Sequence, residues 1–149
     1  MNTDEIRNIL KGNETTSIYF LDVFAVDQLP KQKINREVWL LVCNCCPIDL
    51  RGEHWIAMFG SKEHIDVFDS FGLAPNAYSG VDEFLYSQKP KSVNYNSKCV
   101  QSISSDACGH YSILFCYHRA RGVSLHDIVE AMVNMSRDEY VKYIVRFTL

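Results

Sequence analysis

Apolar residues recur at helical spacing near the start of the chain, where Ile6, Ile9 and Leu10 share one face of residues 3–10 and Gly12 follows. Residues 17–26 are rich in β-branched and aromatic side chains, which predicts an extended segment. The polar stretch 27–36, holding Pro30, reads as a loop. Three strand-like runs follow at 37–43, 55–59 and 64–68, the last two joined by Gly60-Ser61-Lys62-Glu63, which predicts a hairpin. A small helix is predicted over 81–87, and a further strand over 92–96 that runs into Cys99 and Gln101. Beyond Cys108 the pattern turns helical. Residues 107–119 are dense in apolar side chains and end at Gly122, and Ser124 is placed to cap a helix over 125–135. Ser136 with Glu139 makes a capping-box signature for a last helix. Strands in the middle and helices at the ends predict an α+β fold.

The length, 149 residues, suits one domain spanning 1–149, and 47% hydrophobic with 22% charged residues is ordinary for a globular protein. About two-thirds of the unfolded surface can be buried at this size. No apolar run approaches the roughly 18 residues that cross a bilayer. The opening Met1-Asn2-Thr3-Asp4-Glu5 lacks the basic-then-apolar layout of a secretion signal. An intracellular protein with no membrane partner is expected. The net charge of −3 supplies no global positive field for nucleic acid. Local basic clusters (Lys31, Lys33 and Arg36; Lys89 and Lys91; Arg119 and Arg121) read as solvated loops. With no secretion signal, Cys43, Cys45, Cys46, Cys99, Cys108 and Cys116 read as thiols, open to roles as core filler, metal ligand or nucleophile.

Candidate chemistry concentrates in three segments. Gly52-Glu53-His54-Trp55 puts a histidine at the mouth of a strand, and Phe68-Asp69-Ser70-Phe71-Gly72 puts an acid at the end of the next. If the hairpin forms, His54 and Asp69 are neighbours, while Asp66 sits mid-strand; Asp69 is preferred. In Gln101-Ser102-Ile103-Ser104-Ser105-Asp106-Ala107-Cys108-Gly109-His110, a cysteine stands where a polar loop becomes an apolar helix. Unpaired N–H groups at such a helix start favour thiolate, and Gly109 lets a substrate approach the backbone. Taken singly, the histidine is most often structural, the aspartate a turn residue and the cysteine core filler. The ordered combination His, Asp, Gln, Cys at element ends points to a cysteine hydrolase. A different class stays open. Cys43, Cys46, His54 and His64 combine a C-x2-C pair with two histidines, as in a zinc-stabilised binding module. Against zinc, Cys43, Cys45 and Cys46 lie in or just after a strand and alternate faces, and the spacing fits no common finger.

His54-Trp55, then Phe68-Asp69-Ser70-Phe71-Gly72, then Gln101 followed seven residues later by Cys108-Gly109, resemble the adenovirus endopeptidase (adenain) family, itself related to the SUMO-specific proteases. Tyr19-Phe20-Leu21-Asp22 and Val38-Trp39-Leu40-Leu41-Val42-Cys43 fit the same layout, so the likeness covers residues 17–122. The resemblance implies a cysteine protease fold, with a small central mixed sheet flanked by helices and the nucleophile at a helix N-terminus. It implies His54 as general base, Asp69 as its orienting acid and Cys108 as nucleophile. Gln101 and the Cys108 N–H would be the oxyanion donors. Trp55 and Gly109 would bind substrate in a narrow cleft that admits glycine near the scissile bond. No metal or other cofactor is required. The family's stimulation by DNA and by a disulfide-linked peptide stays open but has no support in the sequence, since no cysteine is matched to the one holding that peptide and the net charge is acidic; nucleic acid stays open as a partner. The compact length resembles proteases of viruses and of virus-like mobile elements such as Polintons. The expected substrates are viral or virus-like structural precursors, in a host nucleus, cytoplasm or virion. Two alternatives are a deubiquitinating or deSUMOylating isopeptidase and a non-catalytic relative that binds ubiquitin-like proteins.

Overall fold

Runs of β-branched and aromatic residues build a five-stranded sheet in which the strands lie side by side in chain order. A computed structural model describes residues 1–49, 54–135 and 137–149. The strands are β1 (Phe20–Ala25), β2 (Trp39–Asn44), β3 (Trp55–Gly60), β4 (His64–Asp69) and β5 (Ser92–Tyr95). β2, β3 and β4 form an antiparallel meander, and β1 and β5 run parallel to β2 and β4, so the sheet is mixed. Among the described residues, five α-helices complete the α+β fold: α1 (Thr3–Gly12), α2 (Val81–Gln88), α3 (Cys108–Arg119), α4 (Leu125–Met135) and α5 (Asp138–Phe147).

Successive side chains of a strand point to opposite faces, and here both faces are covered. Leu40, Val42, Ala57, Phe59 and Phe68 pack with residues of α1, α3, α4 and α5, including Ile6, Phe115, Ile128 and Val141. Leu41, Cys43, Ile56, Met58, Ile65 and Val67 pack on the other side with Val81, Phe84 and Leu85 of α2. Every residue of β3 is consequently buried. α1 is fixed at its start by a reciprocal capping box between Asn2 and Glu5. Ser124 Oγ accepts the Asp127 N–H at the start of α4. The predicted Ser136–Glu139 box falls on Ser136, outside the described residues.

Two boundaries and one surface reading among those the pattern predicts are corrected by the structure. β5 stops at Tyr95 and does not run into Cys99 and Gln101. The reason is Asn96, whose side-chain amide turns inward to bond the backbone N–H and carbonyl of Asp69 and the carbonyl of Lys98. α3 opens at Cys108, one residue later than expected, because Ala107 has ψ 0 and serves as the N-cap. Arg119 is no solvated loop residue: its Nε donates to Asp66 Oδ2 at 2.9 Å and its guanidinium lies 3.8 Å above the Phe59 ring centre. Among the described residues, no helix is long and apolar enough to cross a membrane.

Candidate active site

The register of the meander pairs Ile56 with Asp69, so the residue before β3 meets the last residue of β4. There His54 Nε2 stands 2.7 Å from Asp69 Oδ1, both side chains buried. Asp69 is spent entirely on donors. Oδ1 also accepts the Phe71 N–H at 2.8 Å, and Oδ2 accepts the Tyr78 hydroxyl at 2.6 Å. Its backbone is clamped by Asn96, as described above. The tight turn after it depends on Gly72 (φ 72), where a Cβ would stand 2.7 Å from the Lys98 carbonyl carbon. Phe71 stacks on the imidazole at 4.7 Å between ring centres, and Tyr78 lies near-parallel at 5.7 Å.

A carboxylate only accepts, so in neutral His54 the proton sits on Nε2 and Nδ1 is left with its lone pair. Nδ1 is buried and without a hydrogen-bond partner, and the ring lies beside the Cys108 thiol. Burial opposes the imidazolium, yet the Asp69 carboxylate and the Cys108 sulfur outweigh it and raise His54 to about 9. Burial likewise opposes a thiolate at Cys108, but the imidazole and the N–H groups of Trp55 and Gly109 hold it below the ordinary thiol range. Asp69 moves down for the matching reason: its burial is outweighed by His54, Tyr78 and the Phe71 N–H. Elsewhere burial acts alone or nearly so, pushing Cys43 up to about 12 and raising Cys45 and Cys116. All six cysteines are free thiols.

Gln101 is buried, and its amide is oriented without ambiguity. Oε1 accepts the Ser70 hydroxyl at 2.6 Å, and Nε2 donates to the Ser105 carbonyl, also at 2.6 Å. One N–H of that amide remains for a further acceptor. Trp55 is buried, its ring against Gly109: a Cβ on Gly109 would stand 3.3 Å from Trp55 Cδ1 and 3.2 Å from the Met1 sulfur. The missing side chain at Gly109 thus lets α3 pack closely on Trp55 and Met1. Gly52 and Glu53, the opening of the histidine motif, lie outside the described residues.

Asp66 belongs elsewhere. It accepts from Arg119 and, at 3.0 Å, from Asn94 Nδ2. Cys43, Cys46, His54 and His64 do not converge either. His54 and His64 stand at opposite ends of the hairpin, and His64 Nδ1 faces Ser92 Oγ at 2.5 Å. Among the described residues, no group of three or more His, Cys, Asp or Glu side chains is placed to hold a metal ion.

Sequence reasoning missed Tyr78, Asn96, Ser70 and Phe71 as supports of this cluster. No spacing signal marks Tyr78 or Asn96, since their contacts with Asp69 depend on how the 74–79 turn and the end of β5 fold over it. A buried imidazole fixed by a carboxylate and lying near a thiol has the groups needed to remove a thiol proton and return it to a leaving group. In comparisons with known proteins, no family model matches this chain and no curated protein matches it.

Proposed function

We propose that this chain is a cysteine endopeptidase of the adenovirus-endopeptidase type, cleaving viral or virus-like structural precursor proteins at glycine-containing sites. The observation that carries the reading is the buried Asp69–His54 pair, 2.7 Å apart, next to which Cys108 opens α3. In this reading Cys108 and His54 rest as thiolate and imidazolium, and Asp69 holds the ring. The thiolate attacks the scissile carbonyl carbon; the C–S bond forms and the carbonyl π pair moves to oxygen. Gln101 and the Cys108 N–H face that oxyanion. As the C–N bond breaks, His54 gives its proton to the leaving amine. Water, deprotonated by His54, then attacks the thioester and releases the acid, restoring the thiol. Trp55 walls the cleft, and Gly109, packed against Trp55 and Met1, sets how closely α3 approaches it rather than meeting substrate. No step calls for a metal or other cofactor.

The test is cleavage profiling with a fluorogenic peptide library varied around glycine, run beside Cys108→Ala. Turnover confined to glycine-containing peptides and lost in Cys108→Ala supports the reading. Cleavage only of an isopeptide-linked ubiquitin-like protein moves it to an isopeptidase. Absence of turnover on both, from folded protein, removes the enzyme reading altogether. Iodoacetamide at neutral pH should modify Cys108 faster than the other five cysteines, as read by mass spectrometry.

A further inference from the structure

The loop between Gln101 and Cys108 is not self-supporting. Its internal bonds are a turn from Ser102 carbonyl to the Ser105 N–H at 3.0 Å, the Ser105 Oγ acceptance of the Ala107 N–H at 3.1 Å, and the Gln101–Ser105 bond. Ile103 at its tip is 90% exposed and contributes no packing. Ser70 holds the Gln101 end, its hydroxyl donating to Oε1 and its carbonyl accepting the Gln101 N–H at 3.1 Å; beyond Gln101 the side-chain anchors come from α5. Asp138, its first residue, accepts the Ser102 N–H on Oδ2 at 3.2 Å and the Tyr111 hydroxyl on Oδ1 at 2.8 Å. Tyr111 is fully buried one turn into α3, and its hydroxyl also reaches the Val100 carbonyl at 2.9 Å. One turn further along α5, Lys142 Nζ pairs with Asp106 Oδ1 at 2.7 Å. Residues four apart share a helix face, so α5 presents an acid and a base together to the two ends of one loop. Val141 and Val145, buried against α3, set the height at which it does so.

We propose that Asp138 is a positioning residue for the candidate site, with Lys142 as its auxiliary. By holding Ser102 and Tyr111 at once, Asp138 fixes the distance between the Gln101 amide and the start of α3. The oxyanion donors come from those two places, so the carboxylate sets the width of the oxyanion hole without touching substrate. This rests on the protease reading above. Misplacing a donor by an ångström weakens transition-state binding while leaving the thiol chemistry intact.

The experiment uses the full chain and a tripeptide aldehyde ending in glycinal. The Cys108 sulfur adds to its carbonyl carbon, and the oxygen takes the His54 proton, giving a hemithioacetal whose oxygen lies where the oxyanion forms. Asp138→Asn should weaken aldehyde binding and lower kcat by about 10–100-fold, with KM and the iodoacetamide rate of Cys108 changed less than about twofold. Amide hydrogen exchange across 101–107 should quicken in the unliganded variant. Tyr143→Ser, on the exposed face of α5, should match the wild type throughout. Should Asp138→Asn fail to fold, Lys142→Met carries the test, with a smaller loss in the same direction. The proposal is overturned if the folded variant keeps wild-type aldehyde affinity and kcat, or if alkylation falls in step with them, which marks a general structural loss. Wild-type protein that neither cleaves peptide nor takes up the aldehyde overturns the protease reading instead, and loop exchange then reports the clamp by itself.

Discussion

Strand β4 carries two buried carboxylates three residues apart, and their surroundings divide them sharply. Asp66 faces the α3 side of the sheet, where Arg119 and Asn94 satisfy it and Phe59 supports the guanidinium. Asp69 faces the α2 side at the strand end, where its partner is an imidazole. Both are buried and both are bonded, so neither property marks a site. The partner decides. A guanidinium keeps its proton at any ordinary pH, and the Asp66 pair is therefore a fixed brace. An imidazole bound through Nε2 keeps a second nitrogen that can exchange a proton, and the ring that carries it lies near Cys108.

Exchanging each acid for its amide breaks the comparison most directly. Asp69→Asn should lower kcat by about 10⁴, the scale seen when an orienting acid is replaced and the wrong tautomer results. Asp66→Asn should leave kcat within about twofold and cost about 2 kcal/mol of stability, as a charged hydrogen bond inside the fold is lost. Steady-state kinetics and denaturant melts on both variants check the pair; the opposite ranking would move the orienting acid to Asp66.

Gln101 extends the contrast to a neutral side chain, since it too is buried and bonded but retains one N–H. Gln101→Ala should reduce kcat by about 10²–10³ while Cys108 alkylates at a near-normal rate. Near-full activity on a good substrate would make Gln101 a loop residue only.

The pH profile separates the two acids a third way. Turnover should rise as Cys108 loses its proton below the ordinary thiol range, then fall as His54 loses its own near 9. Because the folded imidazolium outlasts the unfolded one, its contribution to stability is complete below about 6.5 and disappears as pH rises through about 9. Asp69→Asn should move the upper limb down; Asp66→Asn should leave it in place. The smallest effect belongs to Tyr78→Phe. It removes one donor from Asp69 and should lower kcat about fivefold, near the worth of a single hydrogen bond.

What could be read in advance follows from range along the chain. The nearness of His54 to Asp69 is a hairpin property, legible once two strands and a short connection are recognised. The helix over residues 3–10 announces itself by period and that over Leu125–Met135 by its cap at Ser124, whereas the Asn2 cap of the first is visible only in the structure. Asn96 shows the limit: its residue type suits a strand end or a turn equally, and only its bonds to the Asp69 backbone decide. Arg119 shows another, because a basic residue beside Arg121 looks solvated until Phe59 and Asp66 are seen beneath it. Tyr78 and Asp138 act through partners distant in sequence, and no local pattern encodes those contacts.

The sequential order of the strands has a consequence for how the protein comes into being. β3 and β4 pair through the three-residue connection 61–63, so the acid and imidazole are brought together by a contact local in the chain. Cys108 comes from beyond the parallel β5 connection, and its place near the imidazole depends on α3 being packed on the sheet. Without that packing the thiol has neither imidazolium nor aligned N–H groups to lower its pKa. Under the proposed function, activation of the thiol therefore requires the docked fold, and a partly unfolded chain carries Cys108 as an ordinary thiol.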